Sequence, residues 1–182
     1  MAMENKQTEN KADIKEALMN LLHSSSSGGN QFVTFNIATE EYGINIKSVQ
    51  EITGFRHLTY LPNAPKYVKG ILNLRGNIIP VMDPRIKFGM DEITYDKTSV
   101  IIIVETSGKN VGIIVDNIKD VLTIDAKNIE ETPQVSSRSS RSSRSSNVDS
   151  QFIEGIGKVG EKFVIILNIS KIFNKEDLAK IA

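Results

Sequence analysis

The chain contains an internal repeat, and this feature restricts its possible folds more than any other. Three blocks recur in the same order, pairing residues 42–52 with 111–121, 67–71 with 152–156, and 78–82 with 163–167. Gly43 falls on Gly112 at an offset of 69, and Gly70 falls on Gly155 at an offset of 85. The second copy therefore carries 16 extra residues (85 minus 69) between its blocks. Self-similarity of this kind predicts two similar structural units.

Short runs rich in β-branched residues predict strands in both copies. These runs are Phe32–Ile37, Tyr42–Ile46, Asn77–Met82, Ser99–Glu105, Val111–Asp116 and Phe163–Ile169. Two of the connections are short enough for hairpins, and one contains Gly108, which can adopt a positive φ. No long helical pattern alternates with the strands, as a parallel α/β sheet would require. The residues alone therefore predict an all-β protein with two small, SH3-like barrels packed together.

Composition excludes several classes of function. The chain has no Cys and only two His, which leaves no disulfide, no thiolate chemistry and no Cys- or His-rich metal site. Its 22 basic and 22 acidic residues give no net charge that would attract nucleic acid or an anionic membrane. No stretch approaches the ~18 apolar residues of a membrane span, and the N-terminus lacks a secretory pattern. We expect a cytoplasmic protein that needs no metal or cofactor and inserts into no membrane.

Segments of different composition flank and interrupt the repeat. Asp13–His23 predicts a short amphipathic helix followed by a flexible linker, either docked on the protein or loosely packed. Residues 135–147 contain Ser-Ser-Arg three times and predict a disordered loop. A nucleic-acid-binding β-barrel that uses this loop is an alternative, but three Arg without interleaved aromatic residues favour a solvated loop. Near the C-terminus, Asn174 and Asp177 have the spacing of a capping box, which predicts a second short helix.

Two patterns that could carry catalysis have simpler explanations. Residues 155–160 spell G-x-G-x-x-G, but a strand follows them, whereas a dinucleotide motif opens a helix. We interpret these glycines as turns between strands. Asp83 and Asp116 could form an acid–base pair, yet each is explained as a turn residue at a strand end. No Walker, G-x-S-x-G or H-E-x-x-H sequence occurs, so we predict that the chain is not an enzyme.

Arg75 is the residue that most strongly suggests a binding role. It lies in a predicted tight turn before the apolar run that starts at Ile78, and the second copy has Gly160 at the equivalent position. A residue required by the fold would tend to occur in both copies, so an Arg in only one copy points to a role outside folding. Arg is frequent at interface hot spots, because its guanidinium pairs bidentately and also stacks. The alternative is a solvated surface side chain.

These segments together resemble the CheW family of chemotaxis coupling proteins. The matching segments are residues 35–37, 40–46 and 49–52, the central stretches 69–83 and 85–89, and the later stretches 112–116 and 153–157. The resemblance runs from about Gln31 to Ala182, which divides the chain into an N-terminal extension, 1–30, and a CheW-like domain, 31–182. It fails in the extension and in the Ser-Arg loop. The family implies two intertwined five-stranded SH3-like β-barrel subdomains with short terminal helices.

The resemblance also implies a function and a set of binding residues. CheW proteins have no activity of their own; they are adaptors that bind the regulatory domain of the histidine kinase CheA and the cytoplasmic tip of chemoreceptors. The positions similar to those implicated in partner binding are Val49, Glu51, Gly70, Arg75, Gly76, Val100, Ile118 and Val121. For the four apolar positions, core packing is the alternative. The runner-up function is a CheW-like module of another two-component signalling protein such as a CheV-type adaptor, which would append a receiver domain; the chain length favours a coupling protein.

Overall fold

The computed structural model describes residue 20, residues 30–131 and residues 148–180. The Ser-Arg loop lies outside these residues, and so does the predicted N-terminal helix apart from residue 20. The strands are β1 Asn30–Ile37, β2 Glu40–Asn45, β3 Val49–Gly54, β4 Val68–Leu74, β5 Asn77–Met82, β6 Val100–Thr106, β7 Lys109–Val115, β8 Asn117–Ile124, β9 Ile129–Glu130, β10 Ile153–Val159 and β11 Lys162–Leu167. The helices are α1 Pro84–Lys87, α2 Ile169–Ile172 and α3 Lys175–Ala179, with short 3-10 turns at Ile46–Ser48, Ala126–Asn128 and Ser150–Phe152.

The strands form two sheets, and each sheet contains strands from both copies of the repeat. One has six strands in the order β8-β1-β2-β11-β10-β9, and the other has five in the order β3-β6-β7-β5-β4. Strands β1 to β5 of the first copy recur as β6, β7, β8, β10 and β11 of the second. The first hairpin of each copy has therefore moved into the sheet built by the rest of the other copy. This reciprocal exchange intertwines the two copies.

The exchange places a glycine of each copy at a close contact between strands. Strand β11 pairs in parallel with β2 at Gly43, and β5 pairs in parallel with β7 at Gly112. A Cβ at Gly43 would lie 3.0 Å from Cγ1 of Val164, and one at Gly112 would lie 3.0 Å from Cγ2 of Val81. Because these contacts leave little room for a side chain, the same glycine is retained in both copies.

The core lies between the two sheets and joins them. Its largest cluster combines buried residues of the six-stranded sheet, such as Phe35 and Tyr42, with residues of the five-stranded sheet, such as Ile102. An aromatic row crosses it: the ring centroids of Tyr42 and Phe88 are 5.9 Å apart, and those of Phe88 and Phe152 are 6.0 Å apart. Burial of these apolar surfaces is the main force that holds the sheets together.

The structure confirms a mostly β protein with two sheets and corrects the finer expectations. One sheet has six strands instead of five, and among the described residues the strand pairing closes neither sheet into a barrel. The interpretation of residues 155–160 as turns is correct for Gly160 alone. Gly155 and Gly157 lie within β10, where a Cβ would come within 2.7 Å of Ile129 and Ile124 side-chain carbons, respectively. Close packing against neighbouring strands explains these glycines.

The predicted capping box is confirmed. Its residue Asp177 also anchors the C-terminal helix on the first copy of the repeat. The side chain of Asn174 accepts from the backbone N–H of Asp177, and Asp177 accepts in return from that of Asn174. Asp177 also accepts hydrogen bonds from the Tyr67 hydroxyl, at 2.7 Å, and from Lys87 Nζ. Burial alone would raise the pKa of Asp177, but these donors outweigh it and lower the pKa below its usual value.

At neutral pH, we expect an Asp177→Asn variant to have a free energy of unfolding about 1.5–3 kcal/mol lower than that of the wild type. This is the contribution typical of hydrogen bonds to a charged group. Because the folded protein lowers this pKa, the advantage is present above the ordinary value of 3.8 and is lost as the pH falls through the folded value. Urea unfolding of both proteins from neutral pH into the acid range measures the difference. An advantage that does not change with pH would contradict this assignment.

Candidate functional site

Arg75 occupies a turn whose backbone geometry favours glycine. Strands β4 and β5 pair up to Leu74 and Asn77, which leaves Arg75 and Gly76 as a two-residue hairpin loop. Both have positive φ, 53° and 87°, as in a type I′ turn. In the second copy the residue equivalent to Arg75 is Gly160, with φ 62°. A left-handed conformation costs a residue with a side chain roughly 1–2 kcal/mol, so the fold tolerates Arg75 here and does not require it.

The Arg75 side chain stands at the rim of a cleft in the five-stranded sheet. It is 77% exposed and pairs with the less exposed Glu51, with 3.5 Å between Nη2 and Oε2. An ion pair this open to solvent contributes little stability. The cleft has a volume of about 200 Å³, and we call it the Arg75 cleft. Its lining residues include Gln50, Glu51, Leu74, Arg75, Asn77 and Asn110. The structure thus brings together three of the predicted binding residues, since Gly76 follows Arg75 in the turn.

The four apolar candidates lie away from the Arg75 rim and contact the core. Val49 on β3 and Val100 on β6 are only 5% and 8% exposed and belong to the core between the sheets. Ile118 and Val121 lie on β8, at the edge of the six-stranded sheet, and pack half-buried against the same core. Core packing, the alternative explanation, therefore accounts for Val49 and Val100. The partly exposed Ile118 and Val121 retain surface that a partner could contact.

Gly70 has a structural reason to be glycine that is independent of binding. It lies at an irregularity in the pairing of β4 with β5 and has a φ of 149°. A Cβ there would lie 2.5 Å from the carbonyl oxygen of Thr59, whose backbone exchanges two hydrogen bonds with Ile71. The segment containing Thr59 can cross β4 this closely only because residue 70 has no side chain.

A Gly70→Ala variant is expected to lose at least about 2 kcal/mol of unfolding free energy, because it combines backbone strain with a clash against the main chain. Gly54→Ala is the matched control, since Gly54 is exposed at a strand end and a Cβ there would contact nothing within 4 Å. Chemical denaturation of the two variants and the wild type measures both effects. Equal stability of the two variants would show that the close approach of Thr59 is unimportant.

A second cleft, which the sequence analysis missed, occupies the equivalent place on the six-stranded sheet. It has a volume of about 660 Å³, and we call it the Lys162 cleft. Its residues correspond by the two repeat offsets to residues of the Arg75 cleft: Lys119 to Gln50, Asp120 to Glu51, Val159 to Leu74, and Lys162 to Asn77. Extending the repeat register to polar positions would have found it. Its charges differ from those of the Arg75 cleft, because Glu41, Asp120 and Glu161 accompany the two lysines.

Asp83 and Asp116 do come together, but an arginine lies between them. Arg85, which is 1% exposed, forms ion pairs with both carboxylates. Asp83 also caps α1 by accepting from the backbone N–H of Arg85, at 2.9 Å, which confirms its role near a turn. Burial and a hydrogen bond to Asp83 raise the pKa of Tyr95, so its hydroxyl keeps its proton. Both carboxylates are thus occupied by donors, as in a structural ion network.

Within the described residues, no group of three or more His, Asp or Glu side chains could hold a metal ion. The same part of the chain contains no helix that is long and apolar enough to cross a membrane.

Comparison with known proteins gives a consistent family assignment. The CheW-like domain profile matches residues 31–177. The chemotaxis protein CheW of Klebsiella aerogenes is 35% identical over 151 residues, which cover 83% of this chain and 86% of that protein. The crystal structure of the scaffolding protein TtCheW from Thermoanaerobacter tengcongensis has a TM-score of 0.72 and 36% identity, and the match covers 82% of this chain and 96% of that one.

The CheV-type alternative is less well supported. Chemotaxis protein CheV3 of Helicobacter pylori is 26% identical over 135 residues, which cover 73% of this chain and 41% of that protein. The profile match over most of the length, together with the higher similarity to CheW proteins in sequence and structure, shows that this chain belongs to the CheW family of chemotaxis coupling adaptors.

Proposed function

We propose that the chain couples chemoreceptors to the histidine kinase CheA by binding the regulatory domain of the kinase and the cytoplasmic tip of a receptor at the same time. The observation that carries this proposal is the pair of clefts at equivalent positions of the repeat, one on each sheet. The two clefts are formed by equivalent strands of the repeat but differ in charge and volume, so they suit two different partners. The place of action in this proposal is the cytoplasm.

Within this proposal, the predicted residues have different parts. Arg75, Glu51 and Gly76 form one contact surface: Arg75 supplies an exposed cation, and Gly76 lets the turn project it. Ile118 and Val121 present half-buried apolar surface from β8, beside the Lys162 cleft. Val49, Val100 and Gly70 act indirectly, by packing β3, β6 and β4 in place. The SH3-like character of each sheet stays a prediction of the family resemblance.

We propose further that the chain catalyses no reaction. The support is the state of the two carboxylates that could have formed an acid–base pair: Arg85 engages both, and Asp83 is fully buried. A general base needs a free lone pair within reach of a substrate proton.

The test is a binding experiment with a fragment of each partner, alone and together. We expect the purified chain to retain the kinase regulatory domain and the receptor tip fragment separately, and to form a ternary complex when both are present. Size-exclusion chromatography with light scattering would give the stoichiometry. If the two fragments compete for the chain, both use one surface; if neither binds, the coupling function is wrong.

A further inference from the structure

The ion network around Arg85 joins the two sheets at the point where the chain passes between them. Asp83 follows β5 of the five-stranded sheet. Asp116 lies between β7, which ends in the five-stranded sheet, and β8, which belongs to the six-stranded sheet. Arg85 donates from Nη1 to Oδ1 of Asp83, at 3.2 Å, and from Nη2 to Oδ1 of Asp116.

The network continues from Asp116 into the six-stranded sheet. Its Oδ2 accepts from the backbone N–H of Ala38, at 2.7 Å, in the turn between β1 and β2. The backbone N–H of Asp116 donates to the carbonyl oxygen of Asn36, at 3.0 Å. A continuous path of directional bonds therefore runs from α1, through Arg85 and Asp116, to the hairpin exchanged between the copies.

The network also holds the segment that connects the copies. The Tyr95 hydroxyl donates to Oδ2 of Asp83, at 2.6 Å, and its ring packs on Phe55 with centroids 4.8 Å apart. With this bond, all four carboxylate oxygens of Asp83 and Asp116 have a donor. A buried charge network is tolerated when it is satisfied in this way.

The repeat unit itself does not require these ions. The second copy has Asn168 and Ser170 where the first has Asp83 and Arg85, at the offset of 85. It still forms helix α2, whose first turn is capped when the Asn168 side chain accepts from the backbone N–H of Lys171, at 3.1 Å. Replacing a buried ion group by well-packed hydrophobic residues of similar volume is often neutral or stabilising, so the network is poorly explained by stability alone.

We propose that Arg85 is a positioning residue that holds the two sheets in one relative orientation, so that movement of a partner on one sheet is transmitted to the partner on the other. The transmission between partners rests on the proposed coupling function. The fixed orientation of the two sheets rests only on the hydrogen bonds described above. Apolar packing in the core is non-directional and permits small rotations. Hydrogen bonds from one guanidinium to Asp83 and to Asp116, which is itself bonded to Ala38 of the six-stranded sheet, fix the angle.

The first test measures the orientation without any partner. Because the chain has no Cys, Lys109→Cys on β7 and Lys158→Cys on β10 place one spin label on each sheet. Both positions are exposed. We expect the triple variant Asp83→Asn, Arg85→Met, Asp116→Asn, which removes the charges together, to broaden or shift the distance distribution between the labels. Should this variant not fold, Asp116→Ala alone removes both side-chain bonds of the link to the six-stranded sheet. A distribution equal to that of the wild type in the folded variant would overturn the proposal.

The second test separates positioning from stability. We expect each partner fragment to bind the variant within about twofold of the wild-type affinity, while receptor control of kinase activity falls by about fivefold or more, as for loss of coupling between sites. A parallel loss of both affinities would assign Arg85 to stability alone and overturn the proposal. If the wild type itself binds neither fragment, the coupling function is wrong, and the label distances still decide the role of Arg85.

Discussion

An Arg85→Met variant should unfold with a free energy about 3–5 kcal/mol lower than that of the wild type, as expected when one member of a buried ion network is removed. Methionine replaces most of the side-chain volume, so the loss comes from the two carboxylates left without their cation. Asp83 is fully buried, and the Asp116 side chain is 26% exposed. Guanidinium chloride unfolding measures the loss.

The matched control for this prediction is the triple variant that also neutralises both partners. With asparagine at positions 83 and 116, no unpaired buried charge remains, and the first of these asparagines can cap α1 as Asn168 caps α2. We expect the triple variant to recover most of the stability that Arg85→Met loses. A triple variant as unstable as Arg85→Met would mean that Arg85 contributes packing that methionine cannot supply.

Charge reversal of Arg75 is expected to weaken the binding of one partner by about 30-fold or more, which corresponds to a hot-spot loss of ~2 kcal/mol. The physical reason is that Arg75→Glu places a second carboxylate beside Glu51, in the rim of the cleft that we propose as a partner contact. Stability should change by less than about 0.5 kcal/mol, because the side chain is exposed and its ion pair is open to solvent. Titration calorimetry with each partner fragment measures the binding, and thermal unfolding measures the stability.

Two further variants show whether the site or only the net charge matters. Arg56→Glu makes the same charge change at another exposed position and should bind both partners normally. Arg75→Gly installs the residue of the second copy in the left-handed turn, and should therefore bind weakly without a loss of stability. If Arg75→Gly binds as the wild type does, Arg75 is a solvated surface residue and the candidate site is wrong.

Strands β1, β2, β5, β6, β7 and β11 could be predicted because their signals, runs rich in β-branched residues, are local. The apolar run that starts at Ile78 placed Arg75 in its turn. Strands β4 and β10 were not predicted, because they contain glycines, which are typical of turns. The repeat alone did not show that the first hairpins are exchanged, which was implied only by the family resemblance. Gly43 and Gly112 have the same sequence neighbours whether or not the hairpins are exchanged. Which of the two arrangements forms depends on contacts between distant segments of the chain.

The ion network and the second cleft were not predicted, for different reasons. The sequence raised Asp83 and Asp116 only as an acid–base candidate pair. It did not show that Arg85 contacts Asp116, because the two residues lie 31 positions apart in the chain. The Lys162 cleft was missed because the alignment of the copies was made on apolar residues, whereas Lys119 and Lys162 are polar. The burial of Val49 and Val100 could not be predicted either, because a strand pattern cannot distinguish a core face from a partner surface.

The exchange of hairpins has a consequence for synthesis of the protein. Tyr42 on β2 pairs with Ile165 on β11, which leaves the ribosome 123 residues later (165 minus 42). At ~5–20 residues per second, that interval is roughly 6–25 s. During this interval, the edge of β2 that later pairs with β11 is free, and a neighbouring nascent chain could add a strand to it. Crowded polysomes should thus favour swapped oligomers of this protein, and slower translation before β11 should increase their yield.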